Sequence, residues 1–435
     1  MTRARKWLLG AGALALLGVL LASFVPSSEE LTQRASMQME AALGVPVSVG
    51  ALQWRLLPSP RVVIQNVATR QAQPVEVKQI TLYPHTAALW QLRFQVDRAE
   101  VEGAVLPQLA LVQLGRHPPD PAPGQPDKPG QPDTPGTGDL PLAQLDFQDV
   151  TWVSRRGNRV MFEGQVQFDA GWRPRTLQIR RPGVTPAADL TLTRQGQEDR
   201  WQTHTRLGGG SADGELQLHT TAQGQMRLTG QLKPRGIDAV SAMQAFNHRS
   251  IVAGTASGET TLLAHGANAA ELAQSLHTTT HFTMARARLL RLDVSKAVRS
   301  AGQDHAGETP LNAASGQLDT HNTPNGMAAD FTRLKAHSGV LSVSGKARVV
   351  NWQIDGEFSV DLVDGWVGVP LKVSGPLEHV QVSVPAGAVA GAALGTAVLP
   401  GIGTAIGARI GAAIGRIFGS EPADQKSPAP ARKSP

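Results

Sequence analysis

The most restrictive feature of this chain is an unbroken apolar run from Trp7 to Val25, WLLGAGALALLGVLLASFV, with Arg3, Arg5 and Lys6 ahead of it. A hydrocarbon core about 30 Å thick is crossed by roughly 20 residues of helix, because in lipid only a helix satisfies every backbone N–H and C=O within one segment. Residues 1–26 are therefore expected to be a single transmembrane anchor whose basic flank stays in the cytoplasm. The competing reading is a cleaved signal peptide, with an apolar core of about 7–15 residues and an A-x-A-like site. Here the run is longer and the nearest triplet is Ala22-Ser23-Phe24, so the uncleaved anchor is preferred. Everything after Val25 is then expected to be periplasmic, on a single-pass protein of a bacterial inner membrane.

Composition limits what the exported part can be. A chain of 435 residues predicts two or three domains. Its 45 Gly and 30 Pro fall at turn-like intervals, which favours many short strands over long helices. There is no cysteine, which excludes a disulfide scaffold, thiolate metal sites and a cysteine nucleophile. The net charge of +6 and pI near 9.9 raise nucleic-acid binding. However, the basic residues come as separated pairs (Arg155 and Arg156, Arg173 and Arg175, Arg180 and Arg181) without interleaved aromatics, and the anchor takes the chain away from nucleic acid. A solvated basic surface beside an anionic membrane is expected instead, with no nucleic-acid partner.

After the anchor, SSEELTQRASMQMEAALG predicts a helix, with Ser27 or Ser28 as N-cap, Glu29 and Glu30 complementing the dipole, and Gly44 as the stop. The apolar period then changes from helical to two. VPVSVGALQWRLLPSPRVVIQNVA alternates at Val45, Val47 and Val49 and again at Val62 and Ile64, with Asn66 closing the run; VEVKQITL and RFQVDRAEVEG follow as further strands. Residues 116–139, RHPPDPAPGQPDKPGQPDTPGTGD, hold proline at every second or third position with almost no apolar side chain, and so predict an extended linker. From Leu140 to Val384 the chain alternates again, in segments such as QLDFQDVTWV, GELQLHTTAQGQMRLTGQL, ARVVNWQIDGEFSVDLV and HVQVSV. Apolar residues on one side only are the mark of antiparallel sheet. Residues 236–247 and 268–277 are the expected helical exceptions.

Two stretches resemble the AsmA family of envelope proteins. In the first, Gly44, Pro46, Val47, Val49, Gly50, Pro58, Asn66, Leu89, Asp97, Arg98 and Gly103 match its G-x-P-V-x-V-G entry, its proline-strand-asparagine element and its leucine-bearing turn before a basic strand. In the second, Asp293, Phe331, Leu334, Gly339, Val340, Gly345, Val369, Pro370, Leu371, Val373, Ser374 and Gly375 match its C-terminal module, closing on V-P-L-x-V-S-G. The likeness covers residues 1–115 and 265–384. It departs from the family pattern in the shortness of the chain and in the missing glycine at 285–289. The resemblance implies an elongated, curved antiparallel sheet, a half-barrel groove whose apolar face handles phospholipid in outer-membrane biogenesis.

The end of the chain lies outside that pattern. Gly387, Gly391 and Gly395, and then Gly403, Gly407, Gly411, Gly415 and Gly419, recur every four residues around Pro400. Such a stripe lets helices pack closely. Each arm is shorter than a spanning helix and the second carries Arg409 and Arg416, so residues 385–419 are expected to form a glycine-zipper hairpin that lies in the membrane surface or self-associates. Residues 420–435 are expected to be a disordered tail.

Chemistry-bearing motifs are weak throughout. GIGTAIG (residues 401–407) lacks a βαβ setting and GVLSVSGK (339–346) lacks the second glycine and the hydroxyl of a phosphate loop. His277 and His281 sit in a β-branched stretch, where four residues span about 13 Å, too far to share an ion. No G-x-S-x-G or H-E-x-x-H occurs. No catalytic residue, metal or cofactor is therefore expected. The domains expected are an N-terminal helix-plus-β domain (27–115), the linker (116–139) and a β-groove domain (140–384). Within the last, Phe282, Met284, Leu341, Val343, Trp352, Ile354, Phe358 and Val360 alternate with polar neighbours and are the expected lipid-contacting positions. The expected partners are membrane phospholipid, envelope proteins, or a second copy through the zipper glycines. The alternative is a periplasmic scaffold influencing outer-membrane protein assembly, with the same face buried as an ordinary core and no lipid cargo.

Overall fold

The computed structural model describes residues 28–55, 58–85, 96–111, 142–169, 173–267, 269–323, 326–364 and 366–384. The anchor, the proline-rich linker, the glycine-zipper segment and the tail lie outside these. Among the described residues the protein is mainly β, and 21 strands belong to one mixed sheet that no pairing closes into a barrel. Contacts divide the chain into two compact units, Met1–Ser250 with Ala256–Thr280, and Ile251–Thr255 with His281–Pro435.

Unit 1 opens with α1 (Ser28–Leu43), whose Leu31, Ala35, Met39 and Leu43 recur every four residues. That stripe packs on Val47, Leu52, Val62, Ile64 and Val67 of β1 (Val47–Arg55) and β2 (Arg61–Thr69). Gly44 ends the helix at φ +70, its N–H donating to the Glu40 carbonyl, a conformation that costs glycine no Cβ clash. β2 does not close at Asn66, as the sequence suggests. Asn66 takes φ +53 inside the strand as a bulge, and Gly50 lies opposite, where a Cβ would stand 2.9 Å from that of Asn66. The strand therefore continues to Thr69.

The meander goes on through β3 (Glu76–Pro84) and β4 (Val96–Pro107), then a single helical turn α2 (Gln108–Leu111). One expectation fails here. β5 (Gln144–Val153) pairs with β4 in parallel, Ala99 opposite Leu145 and Val101 opposite Phe147, so the sheet is mixed rather than wholly antiparallel. A parallel pair needs a crossover of a dozen or more residues, and the proline-rich segment supplies the length. Antiparallel pairing then resumes through β6 (Arg159–Asp169), β7 (Arg173–Arg180), β8 (Asp189–Arg194), β9 (Arg200–Leu207), β10 (Gly210–Thr220), β11 (Met226–Arg235) and β13 (Val252–Gly266), after the two-residue β12 (Ile237–Asp238). The helices expected at 236–247 and 268–277 are the short α3 (Ala239–Gln244) and α4 (Ala269–Gln274).

Unit 2 takes up β14 (His277–Leu289) from residue 281. Its ladder runs β14, β16 (Ala313–Thr323), β17 (Gly326–His337), β18 (Leu341–Val350), β19 (Gln353–Leu362), β20 (Val369–Pro376) and β21 (Gln381–Ser383), with the two-residue β15 (Thr309–Pro310) on β14. The stretch ARVVNWQIDGEFSVDLV is not one strand. Asn351 and Trp352 both have positive φ, +49 and +62, as a tight two-residue hairpin connection demands, and they join β18 to β19. Over this sheet lies α5 (Val294–Arg299), N-capped by Asp293, whose carboxylate accepts from the Lys296 N–H. Its Val294, Ala297 and Val298 are fully buried. After the helix, Gly302 passes so close to β21 that a Cβ would sit 2.6 Å from the Val382 carbonyl oxygen.

Candidate functional site

Directly opposed residues on neighbouring strands share a face, so register alone sorts the side chains of unit 1. On one face, Ile80 of β3 stands beside Val101, Val101 beside Phe147, Leu145 beside Val166, Val166 beside Leu177, and Leu177 beside Leu192. Trp201 faces Leu216, Leu218 faces Leu228, and Leu228 faces Ala264. The result is one apolar stripe that crosses the strands from β3 to β13, the two-residue β12 apart. Glycines make room for the larger members. A Cβ on Gly164 would meet the Phe147 ring at 2.7 Å, and one on Gly230 would meet Leu216 at 2.4 Å.

The opposite face of the unit is ionic. Arg98 reaches Asp146 at 2.6 Å, Arg180 reaches Glu163 at 2.6 Å, and Arg206 reaches Asp189 at 2.6 Å. His204 and Asp213 lie 2.5 Å apart, and the hydrogen bond holds the Asp213 carboxyl below the usual range. Exposed cross-strand pairs of this kind contribute little each. They do mark the side that water covers.

At β1 to β3 the apolar face is covered by α1. From β5 to β13 the described helices sit at strand ends. Asp238, the N-cap of α3, donates its N–H to the Gly208 carbonyl of the β9–β10 turn, and α4 closes the end of β13 through Glu271 and Ser275. Leu145, Leu177, Leu190, Leu192, Leu216, Leu218, Leu228, Leu232 and Leu262 accordingly remain half-buried.

The expected lipid-contacting residues have a different setting. Leu341, Ile354 and Val360 are buried, Val360 completely, in a core that also holds Met284, Val343 and Phe358 together with Val294, Ala297 and Val298 of α5. Phe282 meets Phe331 edge to face, with ring centroids 6.5 Å apart. Trp352 stands in the hairpin turn, its carbonyl accepting from the Leu377 N–H. Seven of the eight positions therefore lie on strands of unit 2, and six join one core covered by the chain's own helix. The zipper positions Gly387, Gly391, Gly395, Gly403, Gly407, Gly411 and Gly415 fall outside the described residues.

Polar constellations are structural in character. The Arg194 side chain is 5% exposed and makes four hydrogen bonds: it donates to the Glu198 and Gln197 carbonyls, to Asp169 at 3.2 Å and to Asp199 at 2.9 Å. Arg181 donates to the Ala245 and Met161 carbonyls and stacks 5.6 Å from the Phe162 ring, and burial lowers its pKa. His277 and His281 lie on a strand, and residues 339–346 run into β18 between two antiparallel neighbours, not into a helix. Among the described residues no group of three or more metal-ligating side chains comes together. None is long and apolar enough as a helix to cross a membrane.

Comparison with known proteins gives one match. Residues 385–426 fit the glycine-zipper family model, Gly-zipper_Omp. No curated protein and no solved structure matches the chain. The zipper segment thus carries an envelope-protein hint, over a small part of the length. The leucine stripe of unit 1 was visible in DLTLTR, GELQLH and MRLTGQL; the sequence gives no sign of which half of the alternation is covered.

Proposed function

We propose that this chain is a non-enzymatic, membrane-tethered envelope protein of the AsmA type, and that the apolar face of unit 1 receives the acyl chains of phospholipid during outer-membrane biogenesis. The observation that carries the reading is the contrast within one molecule. The unit 2 face is closed by α5, with Val360 and Val369 at 0% and 2% exposure, whereas the leucines from β5 to β13 stay half-buried. A row of partly exposed leucines, backed by an ionic face, has the chemistry of a surface that exchanges water for hydrocarbon. The apolar run at 7–25 supports an inner-membrane tether with the bulk of the chain in the periplasm, and the zipper match supports an envelope setting.

In-cell photo-crosslinking tests it. Benzoylphenylalanine at Leu192 or Leu216 of the full chain is expected to yield phospholipid adducts, and the same probe at Phe358 is not. Adducts absent from both unit 1 positions, with the variants folded, would refute the reading. They would favour a scaffold without lipid cargo, for which the closed core of unit 2 is the supporting observation.

A further inference from the structure

Two turns at one end of unit 2 are adjacent in space. The β17–β18 turn carries Val340 and the β19–β20 turn carries Val363, Trp366 and Val367, and the Val363 N–H donates to the Val340 carbonyl at 3.2 Å. The three valines are exposed by 60%, 79% and 66%. Single exposed apolar residues are ordinary, but a group on neighbouring tips marks a surface that leaves water for something else. Trp366 anchors the group from inside, half-buried against the unit 2 core, with its carbonyl accepting from the Leu362 N–H at 2.7 Å. The carboxylates at the tip are engaged: Asp364 pairs with Arg299 at 2.6 Å, and Asp361 accepts from the Gly368 N–H at 2.6 Å. Little free negative charge is left there to oppose approach to an anionic surface.

The direction of the chain indicates what the tip meets. In β21, Val382 stands opposite Val373 and Ser383 opposite Lys372, so the strand runs toward the start of β20, which follows Val367. The described chain ends at Val384, heading for the same end of the unit as the exposed valines. The next residues begin the 385–426 segment that fits a glycine zipper, mostly apolar as far as Gly419. We infer that the Val340–Val363–Val367 tip docks on a phospholipid bilayer, its valines entering the interface beside the point from which the zipper segment departs. This goes beyond the proposed function and stands without it, because it asks nothing of the unit 1 face.

The absence of cysteine makes single-cysteine labelling of the full chain direct. The chain is reconstituted in phosphatidylcholine–phosphatidylglycerol vesicles with an environment-sensitive fluorophore on Val363→Cys or Val367→Cys. The control is Met327→Cys, 62% exposed at the opposite end of β17. Blue-shifted emission and several-fold stronger quenching by nitroxide-labelled lipid are expected at 363 and 367 and not at 327. Val340→Asp placed in the Val363→Cys chain is expected to reverse most of that quenching. Equal quenching at all three positions, or none at 363 and 367, would overturn the inference. So would efficient disulfide cross-linking between Val363→Cys copies in detergent without vesicles, since the tip would then be a self-association surface. Docking with no adduct at Leu192 would remove the cargo and leave the tip; the reverse would remove the tip alone.

Discussion

A charge introduced at Val360 and the same charge at Leu192 are expected to have opposite consequences. Val360 is 0% exposed, opposite Val343 and Val369, within the core beneath α5. The cluster around it is built of apolar side chains, so an aspartate there would protonate rather than stay ionised. Holding a carboxyl neutral at pH 7 against an ordinary pKa of about 3.9 costs about 4 kcal/mol, and the lost burial of the valine adds about 2 kcal/mol. The sum of about 6 kcal/mol matches the whole stability of many domains, about 5–15 kcal/mol. Val360→Asp should therefore unfold unit 2 at neutral pH. Val360→Ala, which loses about two buried methyl groups and leaves a cavity, should cost about 2–3 kcal/mol. Leu192 is half-buried, so Leu192→Asp keeps its charge in water and should cost only about 1–2 kcal/mol of lost apolar burial. Hydrogen exchange of the full chain reads both units at once. Val360→Asp is expected to abolish protection across β18 to β20, and Leu192→Asp to leave β7 to β9 protected while reducing bound phospholipid. Wild-type protection in Val360→Asp would refute the claim that this face is closed. Collapse of β7 to β9 in Leu192→Asp would refute the claim that the unit 1 face is open.

Three further outcomes follow from named contacts. His248 accepts at Nε2 from Asn158 at 3.0 Å, and burial, with Arg156 second, lowers its pKa below 6.5; the unfolded chain then binds the proton more readily, so stability should fall as pH drops below about 6.5 toward the folded pKa, and a melt series from pH 7.5 to 5 should flatten in His248→Gln. Arg194→Met leaves Asp169 and Asp199 facing a buried gap and should cost about 2–3 kcal/mol, less than a fully buried pair because Asp169 is 42% exposed; an unchanged denaturation midpoint would show the network to be dispensable. Gly214→Ala would place a Cβ 1.9 Å from the Gln231 carbonyl oxygen of β11 and should cost about 3 kcal/mol through displacement of that strand, visible as a lowered thermal midpoint.

Much of the secondary structure was legible because its causes are local. The four-residue apolar spacing before Gly44 made α1 and a positive-φ glycine stopped it; period-two alternation made the strands; Asp238 capped the short helix expected at 236–247. What escaped depends on partners distant in sequence. The parallel β4–β5 pair rests on where the chain returns after the linker, which no alternation encodes. Asn66 and Trp352 were read as strand residues or strand ends on pattern, yet both take positive φ, one in a bulge and the other in a turn. Asparagine tolerates that conformation. Tryptophan gives no such warning.

The candidate face escaped for a sharper reason. Val343, Val360 and Leu371 alternate with polar neighbours in the same way as Leu190, Leu192 and Leu216, and the two sets differ only in what lies above them. In unit 2 that cover is six residues of helix, VSKAVR, whose Val294, Ala297 and Val298 are fully buried. The buried hydroxyl of Thr309 fixes this cover: it accepts from the Val294 N–H at 2.9 Å and donates to the Leu292 carbonyl at 2.6 Å. From β5 to β13 of unit 1 no described helix takes that role. The residues that decide between a core and a surface are thus absent from the strands themselves, so alternation alone does not tell which apolar face the protein closes with its own chain.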